Sequence, residues 1–251
     1  MIFIKYCYNT MSKIDLTIPF SLGQITLGQY QDYLKILDKW DKEDETYLKL
    51  KILQIFCKMS AEDVQRIKLA EFEDTIQHIN NLFDDDNSKL VNRFKMTGSD
   101  GEGGQRTVEF GFIPKLDDIS FGEYIDLESY IGEWKDMHKA MAVLFRPISK
   151  HSRGFYLIED YAGSNKYSEA MRDMPLNVAL SATVFFYRLG IKLQNYTLDS
   201  LAKQMSKAEA QQVCKLTLGK SGVGINQYIH LLKETLEGLT KLQRPVFISA
   251  L

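Results

Sequence analysis

Cysteine is scarce in this chain. Cys7, Cys57 and Cys214 are spread over 251 residues with no shared spacing, which argues against a disulfide framework and for a reducing compartment. Charge of one sign is lacking too: 31 basic side chains stand against 33 acidic ones, a net charge of −2. No basic field marks a nucleic-acid partner. Long apolar runs are missing. The most apolar segment, Val178 to Ile191, carries Arg188; it is too short to span a bilayer and suits a buried helix, so no membrane partner is expected. The opening MIFIKYCYNTMSKI turns polar after Ile4, unlike a signal peptide. Met11 offers an alternative start, which would leave residues 1–10 dispensable. Histidine is rare as well. His78, His138, His151 and His230 have no second ligand three or four residues away, so no zinc site is expected.

What is there is ordinary for a globular protein, with 45% hydrophobic and 25% charged residues. The length allows one or two domains and a sizeable core. The chain is organised around Phe110 to Ile148, FGFIPKLDDISFGEYIDLESYIGEWKDMHKAMAVLFRPI. Ser120 and Glu123 form a capping box, flanked by Ile119 and Tyr124 at staple positions. Tyr124, Leu127, Ile131, Trp134, His138, Met141 and Phe145 then recur in steps of three and four, one face of a helix. Gly132 interrupts the pattern and is a point to bend or split it. Pro147 should end it. On this face His138 reads as a hydrogen-bonded core histidine. Trp134 and Phe185 are expected in the core.

The box has a counterpart 94 residues earlier. Ile25-Thr26-Leu27-Gly28-Gln29-Tyr30-Gln31-Asp32-Tyr33 matches Ile119-Ser120-Phe121-Gly122-Glu123-Tyr124-Ile125-Asp126-Leu127 in residue class at almost every position. Two readings stand: a distant internal duplication of a strand–turn–helix unit, or two helices using the same start chemistry.

Along the chain, residues 13–18 (KIDLTI) alternate as a strand does. Helices are expected at 27–40, 46–58, 60–67 and 69–83, a small bundle. Strands at 89–96 and 106–113 flank a turn-rich loop and read as a hairpin. After Pro147, 149–163 reads as an irregular connector with 154–158 extended. Helical pieces follow at 164–174, 176–193 and from 197 to 206. Residues 207–224 read as a linker and 225–242 as an amphipathic helix. The expected fold class is mainly α (α+β), helical bundles around a small β-hairpin. Three domains are drawn: 1–88, a strand plus helical bundle; 89–206, hairpin and central helical core; and 207–251, linker and amphipathic helix.

Chemical motifs fail one by one. Gly219-Lys220-Ser221 resembles a P-loop, but Cys214 stands where its first glycine belongs and no buried strand precedes it. Gly98 to Gly104 lacks a βαβ context. Asp84, Asp86 and Ser88 mimic an EF-hand start, but Lys89 and Lys95 occupy the glycine and glutamate positions. Glu123, Asp126 and Glu128 suit a helix start, where they favour the dipole. No catalytic, cofactor or metal residue is nominated.

The pattern of FGFIPKLDDISFGEYIDLE, MHKAMAVLFRPI and MPLNVALSATVFFYRLG, with KMSAEDVQRIKLAEFEDTIQHINNLF upstream, resembles proteins of tailed bacteriophages. It is similar to the tail or baseplate assembly chaperone-like group found in phages of the crAss-like kind. The likeness covers residues 15–195. It implies a non-catalytic helper without cofactors, active in the host cytoplasm or carried in the virion. Its partner would be another phage structural protein: tail, baseplate or tape-measure. Self-association is a second contact open to it. A structural virion component is the alternative, and an enzyme with a scattered site the third reading. Partner contacts are expected near the hairpin and toward 251, at Phe110, Phe112, Tyr228 and Phe247.

Overall fold

The computed structural model describes residues 17–40, 44–84, 89–99, 105–152 and 154–189. The fold is α+β and mainly helical. Helices α1 (Leu27–Lys39), α2 (Glu45–Phe56), α3 (Ala61–Gln65) and α4 (Leu69–Leu82) come first. Strands β1 (Arg93–Ser99) and β2 (Gln105–Phe112) lead to α5 (Phe121–Tyr130) and α6 (Met137–Leu144). Strands β3 (Phe145–Ser152) and β4 (Phe155–Ile158) precede α7 (Ser168–Met171). A last helix, α8, is described over 176–189. The expected strand at 13–18 falls mostly outside the described residues, and Thr17 and Ile18 belong to no strand.

Both capping boxes form. The Thr26 hydroxyl accepts from the Gln29 N–H, and the Gln29 side chain accepts from the Thr26 N–H at 2.9 Å. Ser120 and Glu123 repeat the exchange, with the Ser120 N–H on the Glu123 carboxylate at 2.7 Å. The likeness extends upstream. Each box follows a 3₁₀ turn, Leu22–Gln24 or Leu116–Asp118, closed by an isoleucine N–H on a leucine carbonyl: Ile25 on Leu22 at 3.3 Å, Ile119 on Leu116 at 3.2 Å.

The four strands run antiparallel in the order β1-β2-β3-β4. Successive side chains of a strand alternate faces, so Phe110 and Phe112 share the inner face of β2. Phe110 lies opposite Phe94, stacked at 5.6 Å between ring centroids, and Phe112 lies opposite Phe145, edge-on at 5.3 Å. Each such pair adds about 0.5–1.5 kcal/mol beyond its area. The rings of Phe185 and Phe186 on α8 extend the cluster.

Several expectations are corrected. The apolar stripe is split, as Gly132 in mid-pattern allowed. It breaks after Tyr130, restarts through a 3₁₀ turn at Trp134–Asp136, and ends at Leu144. Phe145, expected on the helix, begins β3, and Pro147, expected only to stop it, lies inside the strand. Proline fits there because β3 changes partners: 145–147 pair with β2, while the ladder to β4 begins at Ile148 and is irregular up to Lys150. Tyr124 is 49% exposed, so the buried stripe starts at Leu127. The connector at 149–163 holds the end of β3 and all of β4, and the helical stretch at 164–174 shrinks to a 3₁₀ turn plus α7. One hydrophobic cluster has members on both sides of residue 88, from Leu22 to Ala182.

Candidate docking surface

Two buried polar groups, Gln31 and Glu123, tie separate elements together. Gln31 of α1 is 3% exposed; its amide N–H groups face the carbonyls of Trp134 at 2.7 Å and Lys135 at 3.2 Å, and the His138 ring at 3.0 Å. Two carbonyls fix the amide orientation, which turns its donor nitrogen toward His138 Nδ1 and favours an imidazole protonated at Nε2. His138 is thus the hydrogen-bonded core histidine expected. Burial holds its pKa below the ordinary value, with Lys139 and Arg172 acting in the same sense and Glu169 and Asp136 against it.

Glu123 does more than favour a helix dipole. It is 5% exposed and forms an ion pair with Arg146 of β3, itself 7% exposed. Burial pushes the Glu123 carboxyl up, but hydrogen bonds from the Ser120 side chain and N–H and the Arg146 guanidinium outweigh it, and the net shift is downward. The Arg146 guanidinium lies 5.4 Å from the centre of the Tyr161 ring, whose hydroxyl bonds Asp126. Burial and that carboxylate raise the Tyr161 pKa. The pair and the ring lock the start of α5 to β3 and to the segment after β4. Sequence reading missed this, because Glu123 and Arg146 lie 23 residues apart and only the sheet brings them together. Cys57 is buried, its thiol pushed up to about 12 by burial, and is therefore inert as a nucleophile. Among the described residues no group of His, Cys, Asp or Glu is placed to hold a metal ion. No helix among them is long and apolar enough to cross a membrane.

The surface is where apolar groups lack partners. Phe110 and Phe112, expected as partner contacts, are each only 4% exposed. They are corrected to core, since β2 is an interior strand whose inner face the helices cover. Tyr228 and Phe247 lie outside the described residues, as do Cys7, Cys214, His230, the 218–221 motif and the helices expected after 193. Exposed hydrophobics lie at several places, Leu69 of α4 and Phe121 of α5 among them, and two share the sheet on β4: Phe155 at 60% and Leu157 at 51%. They were not nominated because the segment reads as a connector in the sequence.

Among the described residues β4 is the sheet's edge, paired on one side only. A groove of about 440 Å³ opens beside it, walled by Phe155 and Tyr156, by Phe112, Pro114 and Leu116, and by Phe185 of α8. Phe185, expected in the core, is half-buried at this wall. Tyr156 holds the strand in place, its hydroxyl donating to the Phe112 carbonyl at 2.8 Å with the Asn92 carbonyl at 3.2 Å. Its ring lies against Gly111, where an added Cβ would come within 3.0 Å of it. The edge is therefore rigidly mounted while its outward face is apolar. No protein-family model matches the chain, and no curated protein or solved structure does so.

Proposed function

We propose that this chain is a non-catalytic assembly protein of a tailed bacteriophage, of the tail or baseplate chaperone-like kind, which binds another tail or baseplate protein during virion morphogenesis. One observation carries the binding role: a short edge strand with Phe155 and Leu157 facing solvent beside a groove walled in part by Phe112, Leu116 and Phe185. Natural sheets blunt their edges with charge or proline. An apolar edge beside a groove suits an extended partner segment, which adds as a strand and seats alternate side chains. The phage assignment rests on the residue pattern at 110–148 and its flanks.

The test is a pull-down from infected cells with the tagged chain and mass spectrometry of what is captured. The wild-type chain should capture a tail, baseplate or tape-measure protein. The double variant Phe155→Asp, Leu157→Asp should lose it while melting within a few degrees of wild type, because both residues are exposed. Equal capture by the variant would remove β4 from the interface. Recovery of the chain at fixed stoichiometry from purified virions would replace the helper role with that of a structural component.

A further inference from the structure

β4 has the sequence Phe155-Tyr156-Leu157-Ile158 and carries neither charge nor proline. Its side chains alternate. Phe155 and Leu157 are exposed on one face, and Tyr156 and Ile158 are half-buried on the other. Its backbone alternates as well. In an antiparallel ladder a residue turns its N–H and C=O to one neighbour, and the next residue turns both the other way. The Glu159 N–H donates to the Pro147 carbonyl of β3 at 2.9 Å, and the Ser149 hydroxyl donates to the Leu157 carbonyl at 3.3 Å. Leu157 and Glu159 therefore turn their backbone groups to β3. Those of Tyr156 and Ile158 point outward, where no described strand lies.

The strand is thus symmetric about Tyr156. An outward-facing backbone stands at the centre, with one exposed apolar side chain on either side of it. A two-fold contact needs this arrangement, since both partners present the same patch. We infer that a second copy of the chain pairs its β4 antiparallel to this one, centred on Tyr156, and keeps the edge covered until a partner segment displaces it. The inference rests on the reading of β4 as the binding edge and names what occupies that edge in the free protein.

In this register each Tyr156 N–H donates to the Tyr156 carbonyl of the other copy. Phe155 stands opposite the other copy's Leu157, and Leu157 opposite its Phe155. These are the non-hydrogen-bonded pairs, in which side chains approach most closely. The apolar strip ends in polar residues on both sides, because Leu157 pairs with the exposed Lys150 of its own β3 and Phe155 with the exposed Ser152. An apolar centre with a polar rim is the usual build of an interface. Ile158 comes opposite Gly154, and among the described residues nothing beyond its chain neighbours lies within 4 Å of where a Gly154 Cβ would be. The ends of the ladder are therefore unobstructed. Centring the two-fold on Ile158, the other outward residue, would set Leu157 against Glu159 instead. A contact through one short strand is far smaller than a permanent interface. The dimer is accordingly weak and reversible, as suits an edge that is given up to another protein.

The test is sedimentation velocity of the purified full chain, which needs no phage protein. The wild type should pass from monomer at about 1 μM to mostly dimer at about 300 μM. Phe155→Lys and Leu157→Glu should each weaken the dimer at least about tenfold, since the two-fold places each change in the contact twice. Both should melt within a few degrees of wild type, because the sites are exposed. An equimolar mixture of the two variants should regain the dimer, as the lysine introduced at 155 in one chain then faces the glutamate introduced at 157 in the other. A wild type that stays monomeric throughout overturns the inference and leaves the proposed function to its pull-down. A dimer that survives both substitutions overturns it too, because the copies then meet on another face. A mixture that stays monomeric removes the Tyr156 register and the inference with it. A chain that dimerises and responds as described, yet captures no phage protein, upholds the inference and loses the proposed function alone.

Discussion

At the residue scale, the Gln31–His138 pair shows how a buried polar group is kept neutral and useful. Protonation at Nδ1 would set two donors against each other at 3.0 Å, in a site where burial already disfavours charge. The folded pKa is lowered, so the unfolded chain binds the proton first. Stability from His138 is therefore full above about 6.5, the ordinary histidine value, and is lost as pH falls from there toward the lower folded pKa. Gln31→Leu should move the His138 midpoint upward in an NMR titration, because the opposing donor is gone. It should also cost about 1–3 kcal/mol, since the Trp134 carbonyl is left buried without its partner. A midpoint that stays put would show that desolvation alone sets the value. The apolar surroundings of His138 were readable from its place in the stripe. Its partner on α1 was not, because helical periodicity says which face is buried and not what lies against it.

At the element scale, local chemistry was readable where a few adjacent residues decide it. Thr26 with Gln29 and Ser120 with Glu123 are self-contained signals, and both helices start where those residues place them. The hairpin β1–β2 was readable from its turn residues. β3 was not, because Phe145 continues the helical spacing and only pairing with Phe112 pulls it into the sheet. β4 was seen as an extended stretch, but its role as an apolar edge depends on β3. The seam of this sheet is the contact of Tyr156 with Gly111. A methyl at 111 would lie 2.9 Å from Tyr156 Cδ2, and two carbonyl contacts hold that ring. Gly111→Ala should therefore destabilise by about 1–3 kcal/mol, the usual range for overpacking. Tyr156→Ala alone should destabilise as well, through the lost ring and hydroxyl. In the double variant the clash has vanished, so its cost should fall short of the sum by more than about 0.5 kcal/mol, as expected for residues in contact. Strict additivity in urea melts would mean that the ring moves aside freely and does not clamp β4.

At the scale of the whole molecule, the helical bundle and the sheet-bearing part share one interior. Tyr30 of α1 sits edge-on to Trp134 at 5.1 Å and tilted against Phe83 at 5.9 Å. Gln31 crosses the same boundary, and the start of α1 bonds the backbone of Arg172 and Met174. The sequence draws a division at residue 88, between the helical bundle and the hairpin. The described elements on either side of it contribute to one hydrophobic cluster. Separate domains would unfold separately. A shared core makes each half lose its packing when the other opens, which favours one cooperative transition. The two tryptophans allow a direct check, because Trp40 follows α1 in the bundle and Trp134 lies at the junction. Trp40→Phe leaves Trp134 as the fluorescent reporter, and Trp134→Phe leaves Trp40. In each variant, denaturation followed by fluorescence should coincide with the loss of helical circular dichroism. Trp134→Phe should lower the midpoint, because the smaller ring leaves a void against Tyr30. A Trp40 signal that shifts while the remaining helix persists would restore the boundary at 88 and break the single-core account.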